Sequence, residues 1–203
     1  MNDMNGMKNM NIFCICGPSG SGKTTIIKNL LDLYPTSFQL YPTIVDRPQR
    51  ESEKSASFST YKFISETEFD LMIQNNDFYE YEKQSHNNHR YGKAKSIFNT
   101  LDPNKNILTE MRITNIDQFK SNLSKYPVSS FYLILQNEEH LKRRLLERGD
   151  SNEIIENRIH SVKEEEERDM EKADFEINSW DGELEKTIEE LVNIFKVNFH
   201  IEL

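Results

Sequence analysis

The stretch GPSGSGKTT, residues 17–25, decides the fold of this chain. The whole sequence of 203 residues contains only seven glycines, and three of them, Gly17, Gly20 and Gly22, fall within this stretch. Glycine is favoured where the backbone adopts a positive φ or comes close to a ligand. The concentration of glycine therefore indicates a loop that wraps closely around a bound group.

The same stretch matches G-x-x-x-x-G-K-[ST], the pattern of a phosphate-binding loop. The apolar run IFCIC at 12–16 predicts a buried parallel strand before the loop, and TIIKNLLDLY at 25–34 predicts a helix after it. In that setting, backbone N–H groups and the helix N-terminus cradle phosphate oxygens. The pattern predicts that Lys23 reaches the β- and γ-phosphates of ATP and that Thr24 binds Mg²⁺. The predicted ATP-binding residues of this stretch are Gly17, Ser19, Gly20, Ser21, Gly22, Lys23, Thr24 and Thr25.

Composition and charge limit the partners of the chain. The formal net charge of −9 argues against a general nucleic-acid-binding or membrane-surface protein. The first eleven residues lack the apolar core of a signal peptide, and no segment approaches the length of a membrane span. Cys14 and Cys16 are expected to be small buried hydrophobic residues on one face of a strand. The sequence therefore predicts a cytoplasmic protein whose partners are small-molecule nucleotides.

Strand and helix signals alternate along much of the chain, which predicts an α/β fold with a parallel sheet flanked by helices. Further strands are expected at 106–110, 129–135 and 174–178, and helices at about 114–124, 137–149, 153–172 and 181–197. Between Phe38 and Tyr91, short aromatic stretches alternate with polar turns around one helix at about 65–75, which predicts an inserted subdomain with antiparallel strands. One domain is therefore expected, with its core at about 11–37 and 93–198, its insert at about 38–92 and a lid at about 144–158.

A series of arginines and aromatic residues follows the loop. Its segments are DRPQR at 46–50, YKF at 61–63, FYEYE at 78–82, RYG at 90–92 and RRLLERG at 143–149. In this order and spacing, from about residue 11 to residue 195, the sequence resembles the guanylate kinase family. The resemblance implies a P-loop kinase core with an inserted nucleoside-monophosphate-binding subdomain and a lid. It also implies transfer of a phosphoryl group from ATP, with Mg²⁺, to GMP or dGMP.

The resemblance also implies a role for each matching residue on the donor side. Arg144 and Arg148 of the lid would bind ATP, and Arg148 and Arg158 would neutralise the transferring phosphoryl group. Asn178 corresponds to a residue near the donor base in the family.

On the acceptor side, the resemblance implies two groups of residues. The acceptor phosphate would be bound by Arg47, which is also expected to act in catalysis, and by Arg50, Tyr61 and Tyr91. Thr43 and Glu80 would contact guanine. Glu110 replaces the family's aspartate at the end of a core strand.

The departures from the family's pattern are concentrated in the acceptor half. Val45 and Asp46 replace a pair of threonines, the family's Gly-Glu after the second arginine is missing, and Arg90 stands where tyrosine is common. Lys93 occupies the position of a hydroxyl residue that contacts guanine in the family.

Three hypotheses therefore remain open. The first is a guanylate kinase, and the second is a kinase of the same architecture for another (deoxy)nucleoside monophosphate. The third is a non-catalytic guanylate-kinase-like binding module, against which the complete phosphate-binding loop and the lid arginines argue. The sequence indicates neither the oligomeric state nor the physiological role.

Overall fold

Nine strands in two sheets organise the part of the chain that this computed structural model describes, which is residues 10–84, 88–135, 137–147, 152, 155–156, 159–160, 170–180 and 182–203. The strands are β1 (Ile12–Cys16), β2 (Phe38–Leu40), β3 (Thr43–Val45), β4 (Tyr61–Phe63), β5 (Phe78–Lys83), β6 (Arg90–Ala94), β7 (Asn106–Glu110), β8 (Val128–Leu135) and β9 (Phe175–Ser179). The helices with described bounds are α1 (Lys23–Leu33), α2 (Glu51–Lys54), α3 (Glu66–Gln74), α4 (Lys95–Phe98), α5 (Ile116–Asn122), α6 (Glu138–Glu147) and α7 (Leu184–Phe199), with 3₁₀ turns at Ile113–Asn115 and Met170–Lys172.

The core sheet consists of five parallel strands in the order β2-β7-β1-β8-β9. Every residue of the central strand β1 is buried, because helices and loops cover both faces of the sheet. Phe13 on one face packs with residues of α1 and α7, whereas Cys14 on the other packs with residues around α5. The carboxyl ends of β1 and β7 meet at one edge of the sheet, where ligands bind in open α/β folds. The predicted α/β fold class is confirmed.

The two cysteines are packed as expected. Cys14 and Cys16 are buried free thiols on the same face of β1. Burial raises the pKa of the Cys16 thiol to about 12, so the thiol stays protonated and behaves as a small hydrophobic group. Among the helices of the described segments, none is long and apolar enough to span a bilayer.

The insert sheet contains four strands in the order β4-β3-β6-β5. β6 pairs antiparallel with both β3 and β5, as the aromatic pattern predicts, whereas β3 and β4 are parallel. Helix α3 covers this sheet through Phe69, whose ring stacks on Phe78 with 4.6 Å between centroids.

The boundaries of the insert differ from the expected 38–92. Strand β2 pairs in parallel with β7 in the core sheet, because the Phe38 ring packs into the aromatic core at 6.3 Å from that of Phe13. At the other end, Lys93 and Ala94 still belong to β6 and thus to the insert sheet.

The described residues include only part of the expected lid. Helix α6 covers its first residues and ends at Glu147. Arg148 and Arg158 lie outside the described residues, as does most of the helix expected at 153–172.

Candidate active site

The phosphate-binding loop (residues 17–24) owes its shape to its glycines. Gly17, Gly20 and Gly22 have φ of 135°, 91° and 95°, a region that L side chains rarely adopt. A Cβ atom added at Gly20 would also lie only 2.7 Å from Cδ1 of Leu141 in α6. The glycines therefore provide both the backbone conformation and the close packing of the loop against α6.

Two cationic side chains contact this loop. The Nζ atom of Lys23 donates hydrogen bonds of 2.8 Å to the carbonyl oxygens of Gly17 and Pro18. Arg144 reaches the loop from α6 and donates from Nη1 to the carbonyl of Gly20 at 3.2 Å. Both cations therefore contact backbone carbonyls of the loop, and their binding to ATP stays a prediction.

The carboxyl end of β9 also contacts the loop. The Ser179 hydroxyl donates to the carbonyl of Ser21 at 2.8 Å, and Ser21 is fully buried. Asn178, the predicted contact of the donor base, immediately precedes Ser179 in the same strand. Ser19 in the loop is half-buried, and Thr25 in the first turn of α1 is exposed.

The Glu110 carboxylate, at the end of β7, connects the phosphate-binding loop to the acceptor side. It is 5% exposed, and its Oε2 atom accepts hydrogen bonds from the hydroxyls of Thr24 at 3.1 Å and Thr60 at 2.8 Å. The Tyr61 hydroxyl also donates to Glu110, and burial is the main reason why the pKa of this tyrosine is raised. A single carboxylate therefore holds a residue of the ATP-binding loop and two residues of the acceptor side.

The surroundings of Thr24 fit a nucleotide-bound Mg²⁺ ion. The neighbouring polar groups are hydroxyl and carboxylate oxygens, the ligand type that Mg²⁺ prefers. Within the described ranges, no group of three or more His, Cys, Asp or Glu side chains could bind a metal ion by itself. In nucleotide sites Mg²⁺ is usually bound through one or two protein oxygens together with substrate phosphates and water.

The predicted residues for the acceptor phosphate lie together. The Arg47 guanidinium lies over the rings of Tyr61, at 5.3 Å, and Phe63, at 5.1 Å. The rings of Tyr61 and Tyr91 are 6.2 Å apart. Arg47 and both tyrosines therefore form one aromatic and cationic cluster, and Arg50 approaches it through Glu53.

Glu53 is a site residue that the sequence analysis missed. Its two carboxylate oxygens accept hydrogen bonds of 2.5 and 2.6 Å from the Arg47 guanidinium, and it also accepts one of 2.8 Å from the backbone N–H of Arg50. Burial disfavours the charge of Arg47, but the hydrogen bonds and charge of Glu53 outweigh it and raise the arginine's pKa. The carboxylate expected to be missing after the second arginine is thus supplied by Glu53. Its position three residues after Arg50, at a helix start, is the signal that could have identified it.

The predicted base contacts, Thr43 and Glu80, are buried together with Lys93 in one polar cluster, the predicted base pocket. Thr43, Glu80 and Lys93 are 6%, 5% and 1% exposed, and Glu80 and Lys93 are directly opposed across β5 and β6. The Lys93 ammonium donates to the hydroxyls of Thr43, at 2.6 Å, and of Thr109. Asn115, which the sequence analysis also missed, donates from Nδ2 to Oε1 of Glu80 at 2.7 Å.

The electrostatics of this pocket reflect its burial. Burial raises the pKa of Glu80, and the charge of Lys93 and the hydrogen bond from Asn115 only partly offset this. Burial lowers the pKa of Lys93, against the charges of Glu80 and Glu110. The two groups therefore stabilise each other's charge, but only in part against the cost of burial.

Two departures from the family's pattern form a pair in the structure. Arg90 donates through Nε to Asp46 at 2.5 Å and also forms an ion pair with Asp70. Its guanidinium lies 4.7 Å from the centroid of the Phe69 ring. Arg90 and Asp46 therefore compensate each other's charge.

Comparison with known proteins agrees with this geometry. The family model of guanylate kinase matches residues 9–198. The chain is 34% identical to the guanylate kinase of Helicobacter pylori (strain ATCC 700392 / 26695) over 194 residues, which cover 94% of this chain and 88% of that protein. It is 32% identical to the guanylate kinase of Mycoplasmoides gallisepticum over 184 residues, or 89% of each chain.

A solved structure supports the same fold. The crystal structure of guanylate kinase from Anaplasma phagocytophilum matches with a TM-score of 0.68 and 18% identity, covering 95% of this chain and 88% of that one. The fold, the phosphate-binding loop and the matches along most of the sequence lead to one conclusion. This chain belongs to the guanylate kinase family.

Proposed function

We propose that this protein transfers the γ-phosphoryl group of ATP to GMP or dGMP and releases ADP and the nucleoside diphosphate. The observation that carries the proposal is the Glu110 carboxylate, which accepts hydrogen bonds from Thr24 of the ATP-binding loop and Thr60 beside the acceptor cluster. Phosphoryl transfer requires the donor and acceptor phosphates to be held next to each other, and Glu110 contacts residues on both sides.

On the donor side, the backbone N–H groups of the phosphate-binding loop and the start of α1 bind the triphosphate of ATP. Lys23 moves from the loop carbonyls to the β- and γ-phosphates, and Arg144 adds a second positive charge. Thr24, held by Glu110, would bind Mg²⁺, which when bound neutralises phosphate charge. Arg148 and Arg158 of the lid remain predicted contributors to this neutralisation.

On the acceptor side, Arg47, Arg50, Tyr61 and Tyr91 hold the monophosphate. Glu53 orients the Arg47 guanidinium by accepting hydrogen bonds from both of its terminal nitrogens. A planar guanidinium suits bidentate phosphate binding.

The reaction is an in-line displacement. A phosphate oxygen of the acceptor forms a bond to the γ-phosphorus, while the bond from that phosphorus to the oxygen bridging to the β-phosphate breaks and ADP leaves. The protein contributes alignment and charge neutralisation, which are the main requirements of phosphoryl transfer.

A panel of acceptors tests the proposal. ADP formation from ATP is measured with GMP, dGMP, AMP, UMP and dTMP, with and without Mg²⁺. Preference for GMP or dGMP supports the proposal, whereas preference for another nucleotide favours a kinase with a different acceptor. Absence of transfer to every acceptor favours the binding module. The predicted cytoplasmic location stays a prediction.

A further inference from the structure

Lys93 is a buried cation that has no role in the reaction proposed above. Its side chain is 1% exposed, and its position is occupied by a hydroxyl residue in the family that the sequence resembles. A buried ammonium group is costly unless its partners compensate for the lost water. The groups that accept hydrogen bonds from Lys93 therefore indicate what this side chain does.

The hydrogen bonds of Lys93 fix the direction of two hydroxyl groups. An ammonium group only donates, so the hydroxyls of Thr43 and Thr109 must both accept from it. Thr109 then donates its own hydrogen to the carbonyl of Tyr41 at 2.6 Å. Thr43 donates its own hydrogen to the carbonyl of Glu110, but at 3.4 Å this hydrogen bond is long and weak. Lys93 thus keeps the Thr43 hydroxyl in the donor role, and a ligand carbonyl can take the place of this weak acceptor.

Glu80 lies opposite Lys93 and supplies the complementary group. Asn115 donates to one oxygen of its carboxylate, and the positive charge of Lys93 opposes the effect of burial on its ionisation. The ionised carboxylate only accepts hydrogen bonds, so in that form Glu80 supplies an acceptor beside the donor at Thr43.

We propose that Lys93 is a positioning residue that sets base specificity by fixing Thr43 as a donor and Glu80 as an acceptor. The pocket then suits a base edge on which a carbonyl oxygen lies beside N–H groups, as in guanine. Adenine presents an amino group and an unprotonated ring nitrogen in the reverse order, so it meets donor with donor and acceptor with acceptor. This inference rests on the proposed function and names the residue behind its choice of acceptor.

The test measures kcat/KM for GMP and for AMP in the wild type, Lys93→Met, Thr43→Val and the double variant. Methionine keeps much of the length of lysine without its charge or donors. We expect Lys93→Met to reduce the ratio of GMP to AMP by at least ~10-fold, the effect of losing one hydrogen bond to a charged group. The loss should appear mainly in KM for GMP, with AMP unchanged or improved.

The double variant separates action through Thr43 from an independent effect. Because Lys93 acts through Thr43 as well as through Glu80, the two substitutions are less than additive, and the double variant loses less selectivity than the product of the two single losses. Lys95→Met is the matched control, because Lys95 lies two residues away and donates to the carbonyl of Asn76 outside the pocket. It should leave the ratio unchanged.

Equal losses for GMP and AMP in Lys93→Met would overturn the inference, since a merely structural lysine affects both acceptors alike. Fully additive effects in the double variant would also overturn it. If Lys93→Met does not fold, Thr43→Val decides, and an unchanged ratio in that variant counts against the inference.

Calorimetric binding of GMP and AMP without ATP separates this inference from the proposed function. Loss of GMP preference in the variants supports the inference even where no phosphoryl group is transferred. If the wild type phosphorylates GMP and the Lys93→Met variant keeps the same preference for GMP over AMP, the inference about Lys93 is overturned and the proposed function stands.

Discussion

At the scale of single residues, two arginines in and beside the predicted acceptor site each have an acidic partner. Arg47 pairs with Glu53, and Arg90 pairs with Asp46. Removing one member of such a pair leaves the other charge buried and unpaired, which costs more than the pair contributes. Substitutions that keep shape but remove charge therefore give the most interpretable tests.

Lys23→Met should lower kcat by at least ~10²-fold, by analogy with the loss of one donor that stabilises a transition-state charge. The melting temperature should change little, because Lys23 is only half-buried and lies at the edge of the loop. Steady-state kinetics and thermal melting measure the two effects. Lys28→Met is the matched control, because Lys28 lies on the same helix in an exposed pair with Asp32. Equal losses in both variants would contradict the role of Lys23.

Glu53→Gln should raise KM for GMP by roughly 10-fold, because the amide cannot accept both hydrogen bonds that orient Arg47. The KM for ATP should stay nearly constant, since Glu53 contacts the acceptor side. Initial rates with each substrate varied in turn give both values. Glu51→Gln, an exposed acidic residue on the same short helix, is the control. A parallel rise in both KM values would instead indicate damage to the fold.

The rate with GMP should depend on the ionisation of Glu80. Burial raises the pKa of this carboxyl to about 7. The ionised form accepts hydrogen bonds at both oxygens, whereas protonation turns one of them into a donor. The value of kcat/KM for GMP should therefore rise as the pH increases through about 7 and fall below it. Glu80→Gln should lack this titration. The phosphate of GMP, with a second pKa of about 6, titrates alike for both enzymes, so the ratio of their profiles isolates Glu80. A flat ratio would argue that Glu80 is ionised throughout.

At the scale of elements, the phosphate-binding loop and α6 form one packed unit. Leu141 and Leu145 of α6 lie against Gly20, and both leucines are buried. Because Arg144 of the same helix also bonds the loop, a shift of α6 would change the shape of the ATP site.

Gly20→Ala should therefore weaken ATP binding. It should also lower the free energy of unfolding by more than backbone strain alone would lower it. Strain at a positive φ costs on the order of 1 kcal/mol, and overpacking against Leu141 adds ~1–3 kcal/mol. Gly182→Ala separates the two effects, because Gly182 also has a positive φ, of 72°, but a Cβ there meets nothing within 4 Å. Chemical denaturation and ATP titration of both variants provide the comparison. Equal effects would show that packing against α6 is unimportant.

At the scale of the whole molecule, an aromatic cluster connects the core sheet to α7. The ring of Phe195 lies 4.6 Å from that of Phe13 in β1 and 5.4 Å from that of Phe131 in β8. Phe38 of β2 joins the same cluster at 5.3 Å. Stability of the core thus depends on contacts between residues far apart in the sequence.

Phe195→Ala should lower the free energy of unfolding by ~3–5 kcal/mol, the usual cost of removing a fully buried phenylalanine. Val197→Ala in the same helix is the control, because Val197 is 62% exposed and should change stability little. Denaturant titration of both variants measures the difference. A small effect of Phe195→Ala would mean that α7 contributes little to the core.

The sequence by itself determined the features that depend on local pattern. The glycines and lysine of residues 17–24 predicted the phosphate-binding loop, and the apolar runs predicted β1, β7 and β8 within a residue or two of their bounds. Such features follow from backbone geometry and from the periodicity of burial, which neighbouring residues encode.

Only the tertiary structure decided how the polar residues pair. Several hydrogen bonds join separate elements of the fold. Thr24 and Thr60 donate to Glu110, Arg47 donates to Glu53, and Lys93 donates to Thr43. No local pattern specifies such partners, because a buried charge can be satisfied by any suitably placed group that folding brings near. The place of β2 in the core sheet was likewise decided by a tertiary contact. The Phe38 ring packs against Phe13 of the core, although the sequence around Phe38 has the same aromatic pattern as the insert.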